Sequence, residues 1–501
     1  METILAGISD VITLTNILYI LLGVFTGIVA GAIPGLSGIT AIAIAIPFTI
    51  YLSPLTAVAF LIAINKGSTV GGAISAILLN TPGTPDATAT TFDGYPLAKK
   101  GKPLKALTIA LYSSVSGDTF SDMVLIVASA SLVTFALKMG PIEFTAFVIL
   151  SLTIIGAFAE DSMIKGLIAA CFGVFLRTVG LDPESGTERL TFGVVDLMGG
   201  VPLLAVGIGT LALGEIIRQI EVRVSTAGEG ISLKVSKNRT DGHASWKEYK
   251  RCLPTIFRSA IIGTFVGAIP GLGSTVAAFL GYNAAKSSSS NPEEFGTGKL
   301  EGIAAAEAAN SSVVGANLIP LLLIGIPGNV AAAFLIGAFM IHGITPGPLI
   351  FESHARLIYG LFGAMVIANI CNFLIGNIGL RFFALLIRAP STIVFPVIVL
   401  FCMSGTYMIE GGLFAVGIML AFGIVGYLMR KLRFSFVTFI IGYILGKEFE
   451  IGLRQTIIIT NRNPKAMLDH PVAIIVFLMA IAFVGYITYR NLKQYRTNSK
   501  S

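Results

Sequence analysis

Long apolar stretches recur along the whole chain, separated by short polar intervals. The clearest apolar stretches are residues 11–33, 142–159, 194–217, 356–380, 391–402 continued through 411–429, and 471–489. A helix needs about 20 apolar residues to cross a bilayer. Counting every stretch that satisfies this length wholly or in part predicts an all-α polytopic membrane protein with about 12 transmembrane segments.

Composition supports lipid as the main solvent of this chain. Of 501 residues, 54% are hydrophobic and only 12% are charged, whereas soluble proteins carry about a quarter charged residues. The 56 glycines and 21 prolines lie mostly inside the apolar stretches. Membrane helices tolerate such breaks where neighbouring protein satisfies the freed backbone groups, so we expect broken helices and re-entrant hairpins.

The net charge of +7 comes from short basic clusters that flank apolar stretches. This placement predicts loops on the cytoplasmic side of the membrane. No aromatic-basic module accompanies the clusters, so we expect no nucleic-acid partner. The clusters are Lys99, Lys100, Lys102 and Lys105; Arg430, Lys431 and Arg433; and Arg490, Lys493, Arg496 and Lys500.

An internal repeat organises the chain. The string Gly-Ala-Ile-Pro-Gly-Leu at 31–36 returns unchanged at 267–272, 236 positions later. In both halves the string is followed by hydroxyl residues and then by a second Pro-Gly break, at 82–83 and 327–328. Paired interrupted segments of this kind are typical of the binding sites of secondary transporters.

The loops after the second breaks differ in charge, which predicts that the two repeats are inverted. Residues 98–105 contain four lysines, whereas the corresponding stretch 342–356 contains a single arginine. Basic loops face the cytoplasm, so the presence of a basic cluster in one loop and its absence from the other indicate opposite orientation. The predicted division is a first membrane repeat (1–217), a cytoplasmic connector (218–258), a second membrane repeat (259–450), and a C-terminal segment with an additional transmembrane helix and a basic tail (451–501).

Broken helices supply the chemistry that a carboxylate transporter needs. A break leaves free N–H groups at one helix end, which attract anions, and free carbonyl groups at another, which attract cations. The alternative for each break is an ordinary loop between helices. We predict that the second breaks bind substrate; the residues concerned are Asn80, Thr81, Pro82, Gly83, Thr84, Pro327, Gly328 and Asn329.

The repeated strings and the hydroxyl clusters are candidates for a cation site. Their backbone carbonyls and hydroxyls suit Na⁺, although small residues also mediate plain helix packing. The residues concerned are Gly31, Pro34, Gly35, Ser68, Thr69, Gly267, Pro270, Gly271, Asn310, Ser311 and Ser312.

Asp118 and Asp122 lie four residues apart in a largely apolar stretch, 106–137. This spacing puts both carboxylates on one face of a helix, and intramembrane carboxylates are functional candidates by default. We therefore consider a proton or cation relay. The alternative is that the stretch bends near Ser116 and Gly117 and leaves both carboxylates at the membrane surface.

Enzymatic chemistry finds no support in the sequence. The four histidines show no metal or catalytic-triad spacing. Gly296-Thr297-Gly298-Lys299 resembles the end of a phosphate-binding loop, but the leading glycine and the final Ser or Thr are missing. We expect no enzyme, no cofactor, and no metal beyond a possible Na⁺.

Several motifs resemble the large membrane subunit, of TctA type, of the tripartite tricarboxylate transporter family. The resemblance covers about residues 20–450. It rests on the Gly-Ala-Ile-Pro-Gly-Leu string at 31–36, Leu-Asn-Thr-Pro-Gly-Thr-Pro at 79–85, Asp-Gly-Tyr-Pro at 93–96, Arg-Leu-Thr-Phe-Gly at 189–193, the run from Gly298 to Asn310, Gly-Ile-Pro-Gly at 325–328, and Gly-Ile-Thr-Pro-Gly-Pro at 343–348.

The resemblance implies a cation-coupled permease of the bacterial inner membrane, driven by Na⁺ or H⁺. It implies two partners, a small four-helix membrane subunit and a periplasmic solute-binding protein that delivers small di- or tricarboxylates. Related ion-transporter folds move a substrate-carrying unit against a scaffold, an elevator-type architecture, so the resemblance makes the second breaks hairpin tips. A channel or a non-transporting membrane scaffold remains the alternative function.

This chain departs from the family pattern at a few positions. Alanine precedes Glu307 where a proline is usual, and Asp118 and Asp122 stand where small residues are expected. The geometry of the second-half site is therefore expected to differ from that of other members.

Overall fold

The structure, a computed structural model, describes residues 2–33, 36–157, 162–225, 242–386, 391–410, 412–461 and 463–498. Within these ranges nearly all regular structure is helical, as the hydrophobic pattern predicts. Two short strands form an antiparallel pair in the loop before residue 203, with Gly180 opposite Arg189. They are β1 (Gly180–Leu181) and β2 (Glu188–Arg189).

Within the described residues, ten α-helices begin before the central polar segment. They are α1 (Glu2–Val11), α2 (Leu14–Ala32), α3 (Gly38–Thr49), α4 (Pro54–Leu79), α5 (Thr91–Lys99), α6 (Pro103–Ala136), α7 (Pro141–Ala157), α8 (Met163–Arg177), α9 (Leu203–Ile208) and α10 (Gly214–Ser225). A π-helical turn, Gly209–Leu213, joins the last two into one continuous rod.

Eleven α-helices follow in the described part of the chain. They are α11 (Trp246–Ala268), α12 (Gly273–Ser287), α13 (Leu300–Ala316), α14 (Leu318–Ile324), α15 (Val330–Ile341), α16 (Ile350–Ser353), α17 (Ala355–Leu386), α18 (Ser391–Glu410), α19 (Leu413–Lys431), α20 (Phe436–Ile459) and α21 (Pro471–Asn498). Helices α10 and α11 extend into the predicted connector 218–258, of which residues 226–241 lie outside the described residues.

Seven helical spans in the described ranges are long and apolar enough to cross a membrane, by length and composition. Two of them are mostly enclosed by protein: 94% of the span in Pro54–Leu79 and 89% of that in Leu300–Ile324 is buried. The others expose more of their surface, as expected for helices that face lipid. These others are Leu14–Ala32, Pro103–Thr134, Leu203–Glu221, Ala355–Leu380 and Leu413–Lys431.

Glycines allow the enclosed helices to approach their neighbours closely. A Cβ built on Gly27 of α2 would lie 2.1 Å from the carbonyl oxygen of Ile64 in α4, and one on Gly67 would lie 2.3 Å from that of Val24. In the second half, a Cβ on Gly263 of α11 would lie 2.1 Å from the carbonyl oxygen of Ala309 in α13. Small residues at such crossings drive helix association in membranes, and they place α4 and α13 in the interior.

Candidate functional site

The two breaks of the first half meet in space. Helix α4 ends because Asn80 adopts a left-handed conformation with φ of 55°. Three residues later, a Cβ on Gly83 would lie 1.9 Å from the carbonyl oxygen of Gly31 and 2.5 Å from Ser75 Oγ. Only glycine fits at this distance, so the second break packs directly on the first.

The two breaks of the second half meet as well. Helix α14 ends at Gly325, whose φ of 68° is also left-handed, and Asn329 caps α15 by accepting a hydrogen bond from the Ala332 N–H at 2.9 Å. The Gly271 N–H donates to the Gly328 carbonyl at 2.8 Å. The repeated strings and the Pro-Gly breaks therefore form corresponding pairs in the two halves.

Most of the predicted binding residues are enclosed. The buried ones are Gly31, Ser68, Thr69, Gly83, Thr84, Gly267, Asn310, Ser311, Ser312, Pro327 and Gly328. The half-buried ones are Pro82, Pro270, Gly271 and Asn329, and the exposed ones are Asn80 and Thr81. Pro34 and Gly35 lie outside the described residues.

Several polar side chains in these segments are buried without a protein partner. Within the described ranges, the buried atoms that neither accept nor donate a hydrogen bond include Thr84 Oγ1, Ser311 Oγ, and the side-chain oxygen and nitrogen of Asn310 and of Asn317. Asn317 also packs against the Pro-Gly break at 327–328, because a Cβ on Gly328 would lie 2.7 Å from the Asn317 Cβ. Unsatisfied buried polar groups cost about 1–3 kcal/mol each, so these atoms are suited to hold a polar ligand, an ion or water.

The remaining hydroxyls of the two clusters bond to the backbone. Ser68 and Thr69 donate to the carbonyls of Asn65 and Lys66, both at 2.8 Å. Ser312 lies 2.6 Å from the carbonyl oxygen of Ala308 and 2.9 Å from that of Gly117 on α6. These hydroxyl oxygens keep lone pairs that remain able to accept or to coordinate.

Asp118 and Asp122 lie deep in the protein, so the expectation that a bend leaves them at the surface does not apply. The sequence analysis missed their partner, Lys66. Its ammonium donates to Asp118 Oδ1 at 2.9 Å, Asp122 Oδ2 at 2.8 Å and Asn369 Oδ1 at 3.0 Å. The available signal was a single lysine inside the apolar stretch 54–79, a placement that calls for an intramembrane partner.

A second buried carboxylate, Glu307 on α13, bonds across the halves. Ser114 on α6 donates to its Oε2 at 2.8 Å, and Thr90 donates to Oε1. Its side chain is fully buried. The carboxylate thus connects α13 to α6 and to the segment that follows the Pro-Gly break at 82–83.

Asp93 explains the loop that resembles a phosphate-binding motif. Its Oδ1 accepts the backbone N–H groups of Gly296, Gly298 and Lys299 at 2.9, 2.7 and 2.8 Å, and its Oδ2 accepts the Tyr282 hydroxyl at 3.0 Å. The two glycines have φ of 89° and 109°, which turns successive N–H groups inward. The loop is an anion nest, and its anion is a carboxylate of the same chain.

The paired broken segments are enclosed by helices that are candidates to span a membrane, and unsatisfied polar atoms lie beside them. This arrangement is that of a polytopic α-helical membrane protein organised like a secondary transporter. The particular family follows from comparison. The family model described as "Tripartite tricarboxylate transporter TctA family" matches residues 17–441. The chain belongs to that family. The predicted resemblance is confirmed, and the chain is a subunit of a tripartite tricarboxylate transporter.

Two curated relatives come from Agrobacterium vitis. The "Uncharacterized 52.8 kDa protein in TAR-I ttuC' 3'region" is 32% identical over 478 residues, which cover 95% of this chain and 94% of that protein. The "Uncharacterized protein in TAR-II ttuC' 3'region" is 33% identical over 211 residues, which cover 42% of this chain and 87% of that protein. No solved structure matches the chain.

Proposed function

We propose that the chain is the large permease subunit of a cation-coupled secondary transporter that imports small di- or tricarboxylates across the bacterial cytoplasmic membrane. A periplasmic solute-binding protein delivers the carboxylate, and a small four-helix membrane subunit completes the complex. In this proposal about 12 membrane segments form two inverted repeats, consistent with the length needed per crossing. The coupling ion is Na⁺ or H⁺.

The observation that carries the proposal is the pairing of breaks in each half together with the unsatisfied atoms beside them. Gly83 packs on Gly31 and Gly328 bonds to Gly271, while Thr84 and Asn310 retain buried polar atoms without a protein partner. Free N–H groups at broken helix ends favour a carboxylate, and hydroxyl and amide oxygens favour a cation.

The first experiment is uptake by proteoliposomes that contain this chain, the small membrane subunit and the binding protein encoded beside it. Radiolabelled mono-, di- and tricarboxylates are offered with and without an imposed Na⁺ or proton gradient. Accumulation that requires both the binding protein and a gradient supports the proposal. Saturation without any gradient dependence, or no uptake of any carboxylate by the folded complex, contradicts it.

The site is tested with matched variants of the same complex. Thr84→Ala and Asn310→Ala remove buried unsatisfied groups, whereas Thr134→Ala and Asn291→Ala make the same changes at exposed positions. We expect the first pair to lower affinity or rate at least about 10-fold, the equivalent of one charge-assisted contact of ~1.4 kcal/mol. Equal kinetics in all four variants would remove the binding role from these residues.

A further inference from the structure

The charge cluster at Lys66 contains one more negative than positive charge. Lys66 is 0% exposed, Asp118 1% and Asp122 0%, and all three belong to helices that are candidates to cross the membrane. With both carboxylates ionised, the cluster holds two negative charges and one positive charge. An uncompensated charge in such surroundings is strongly unfavourable.

One oxygen of each carboxylate is left without a partner. Lys66 engages Asp118 Oδ1 and Asp122 Oδ2, and Asn369 Nδ2 donates a further bond to Asp122 Oδ2 at 2.8 Å. Asp118 Oδ2 and Asp122 Oδ1 are buried and receive no hydrogen bond from the described residues. A fully ionised structural ion pair would be expected to satisfy these oxygens, because breaks in such networks are costly.

Lys66 is the only cation in the described part of the chain within salt-bridge distance of Asp118 or Asp122. Helix α11 also contacts α6, through Phe257 and Phe120, and its Arg258 forms no ion pair with either carboxylate. Helix α17 contributes two amides: Asn369, and Asn372, which donates to the Lys66 carbonyl at 3.1 Å. Helix α13 presents Gly315, on which a Cβ would lie 2.3 Å from Asp122 Oδ1. Its carboxylate Glu307 is held elsewhere, by Ser114 and Thr90.

We propose that Asp118 and Asp122 together bind one transported proton, and that Lys66 stays charged and confines that proton to the pair. This inference rests on the proposed cation-coupled function and names its coupling ion as H⁺. The proton forms an O–H bond with Asp118 Oδ2 or Asp122 Oδ1 and brings the cluster from one net negative charge to zero. Its release to the opposite side of the membrane restores the charge.

The position of Lys66 favours a proton over a metal ion at this site. Its ammonium lies within 3 Å of an oxygen on each carboxylate. It would repel a sodium ion on the remaining oxygens of the same groups, because the two charges would be only a few ångströms apart in a medium of low dielectric constant. A proton becomes part of the carboxyl group and needs no shell of several oxygen ligands.

The test is an infrared titration of the purified full-length chain, which needs no substrate. A buried protonated carboxyl has a C=O stretch that is distinct from that of a carboxylate and that rises as the pH is lowered. Glu307 is also fully buried and would add a band of its own, so every measurement is made in a Glu307→Gln background. There we expect one such band, and its retention when Asp469→Asn, an exposed carboxylate used as the control, is added. Absence of the band at every pH at which the protein remains folded overturns the proposal.

Variants separate net charge from ion-pair geometry. Asp118→Asn and Asp122→Asn each leave one carboxylate facing Lys66, a neutral cluster, so each should lose the band. The double variant Lys66→Gln with Asp118→Asn restores one net negative charge and should regain a titrating carboxyl, although it has fewer contacts. A band that persists in both single variants, or its absence from the double variant, overturns the proposal. The titration of the Glu307→Gln chain decides the matter where a further variant does not fold.

Failure of this inference is distinguishable from failure of the proposed function. Uptake that requires Na⁺ and is insensitive to pH, in a chain without a titrating buried carboxyl, retains the transporter and removes the proton site. A titrating carboxyl in a complex that takes up no carboxylate retains the proton site and removes the proposed substrate.

Discussion

Replacing Asp93 by asparagine removes the charge at the centre of the loop 296–299 and leaves one oxygen to accept its hydrogen bonds. Three backbone N–H groups and the Tyr282 hydroxyl converge on the carboxylate. A hydrogen bond to a charged group contributes about 1.5–3 kcal/mol and a neutral one about 0.5–1.5 kcal/mol. Over three N–H donors the loss sums to about 3 kcal/mol, and less where the bonds are not additive.

Cys252 provides a local reporter of this loss. Its side chain is 1% exposed, and it belongs to an apolar cluster that includes Leu97 and Leu300, the first residue of α13. Leu97 lies against the loop, because a Cβ on Gly298 would lie 3.1 Å from the Leu97 Cα. Labelling of a buried thiol requires local opening, whose equilibrium constant changes tenfold for each ~1.4 kcal/mol. We therefore expect labelling of Cys252 in Asp93→Asn to be about 10-fold to 100-fold faster than in the wild type.

The measurement is the rate of reaction with a thiol reagent, resolved by mass spectrometry for each cysteine of the detergent-solubilised chain. Cys402 is an internal reference, since it lies in a different apolar cluster. Asp196→Asn, an exposed carboxylate, is the matched control. Equal rates for Cys252 in Asp93→Asn and in the control would refute the view that the charge of Asp93 holds the loop.

Three further predictions concern other parts of the fold. Gly83→Ala places a Cβ 1.9 Å from the carbonyl oxygen of Gly31; we expect overpacking of about 1–3 kcal/mol, measured as a lower thermal midpoint and reduced uptake. Glu307→Gln replaces one of the two oxygens that accept hydrogen bonds from Ser114 and Thr90 by an amide nitrogen, and should lower the same midpoint, at a cost of about 1–3 kcal/mol. The hydrogen bond from Arg454 holds the pKa of the loop carboxyl of Asp182 well below its ordinary value. The stability that this carboxylate contributes should therefore be complete above the ordinary pKa and lost as the pH falls through the lowered value. Arg454→Ala should flatten the acid limb of a plot of the thermal midpoint against pH.

The repeated breaks were predictable because their signals are local. A proline-glycine pair favours the end of a helix more strongly than a single proline or glycine does, and Pro47, Pro96, Pro254 and Pro396 lie inside helices. An identical string in two places predicts the same backbone in both. The structure accordingly ends α4 and α14 at left-handed residues, Asn80 and Gly325. The hydrophobic pattern likewise predicts a helical membrane protein, although the seven spans identified by length among the described residues leave the expected total of about 12 a prediction.

The pairing of residues within the charge cluster and the nest was not predictable, because the partners are distant in sequence. Lys66 is 52 residues from Asp118 and 303 from Asn369, and the average hydropathy of its helix conceals it. The glycine pattern at 296–299 indicates backbone groups arranged to bind an anion. It does not indicate that the anion is Asp93, more than 200 residues earlier.

These long-range contacts constrain how the proposed transporter can move. Lys66 of the first half bonds to Asn369 of the second, Glu307 of the second half bonds to Ser114 of the first, and Asp93 bonds to the loop before α13. Removing the partner of a buried charge leaves that charge uncompensated, at a cost of about 3–5 kcal/mol. A motion that separated the two halves through this region would break several such contacts at once. The helices that carry the paired breaks are therefore expected to move together as one body, with substrate and proton held in the same unit.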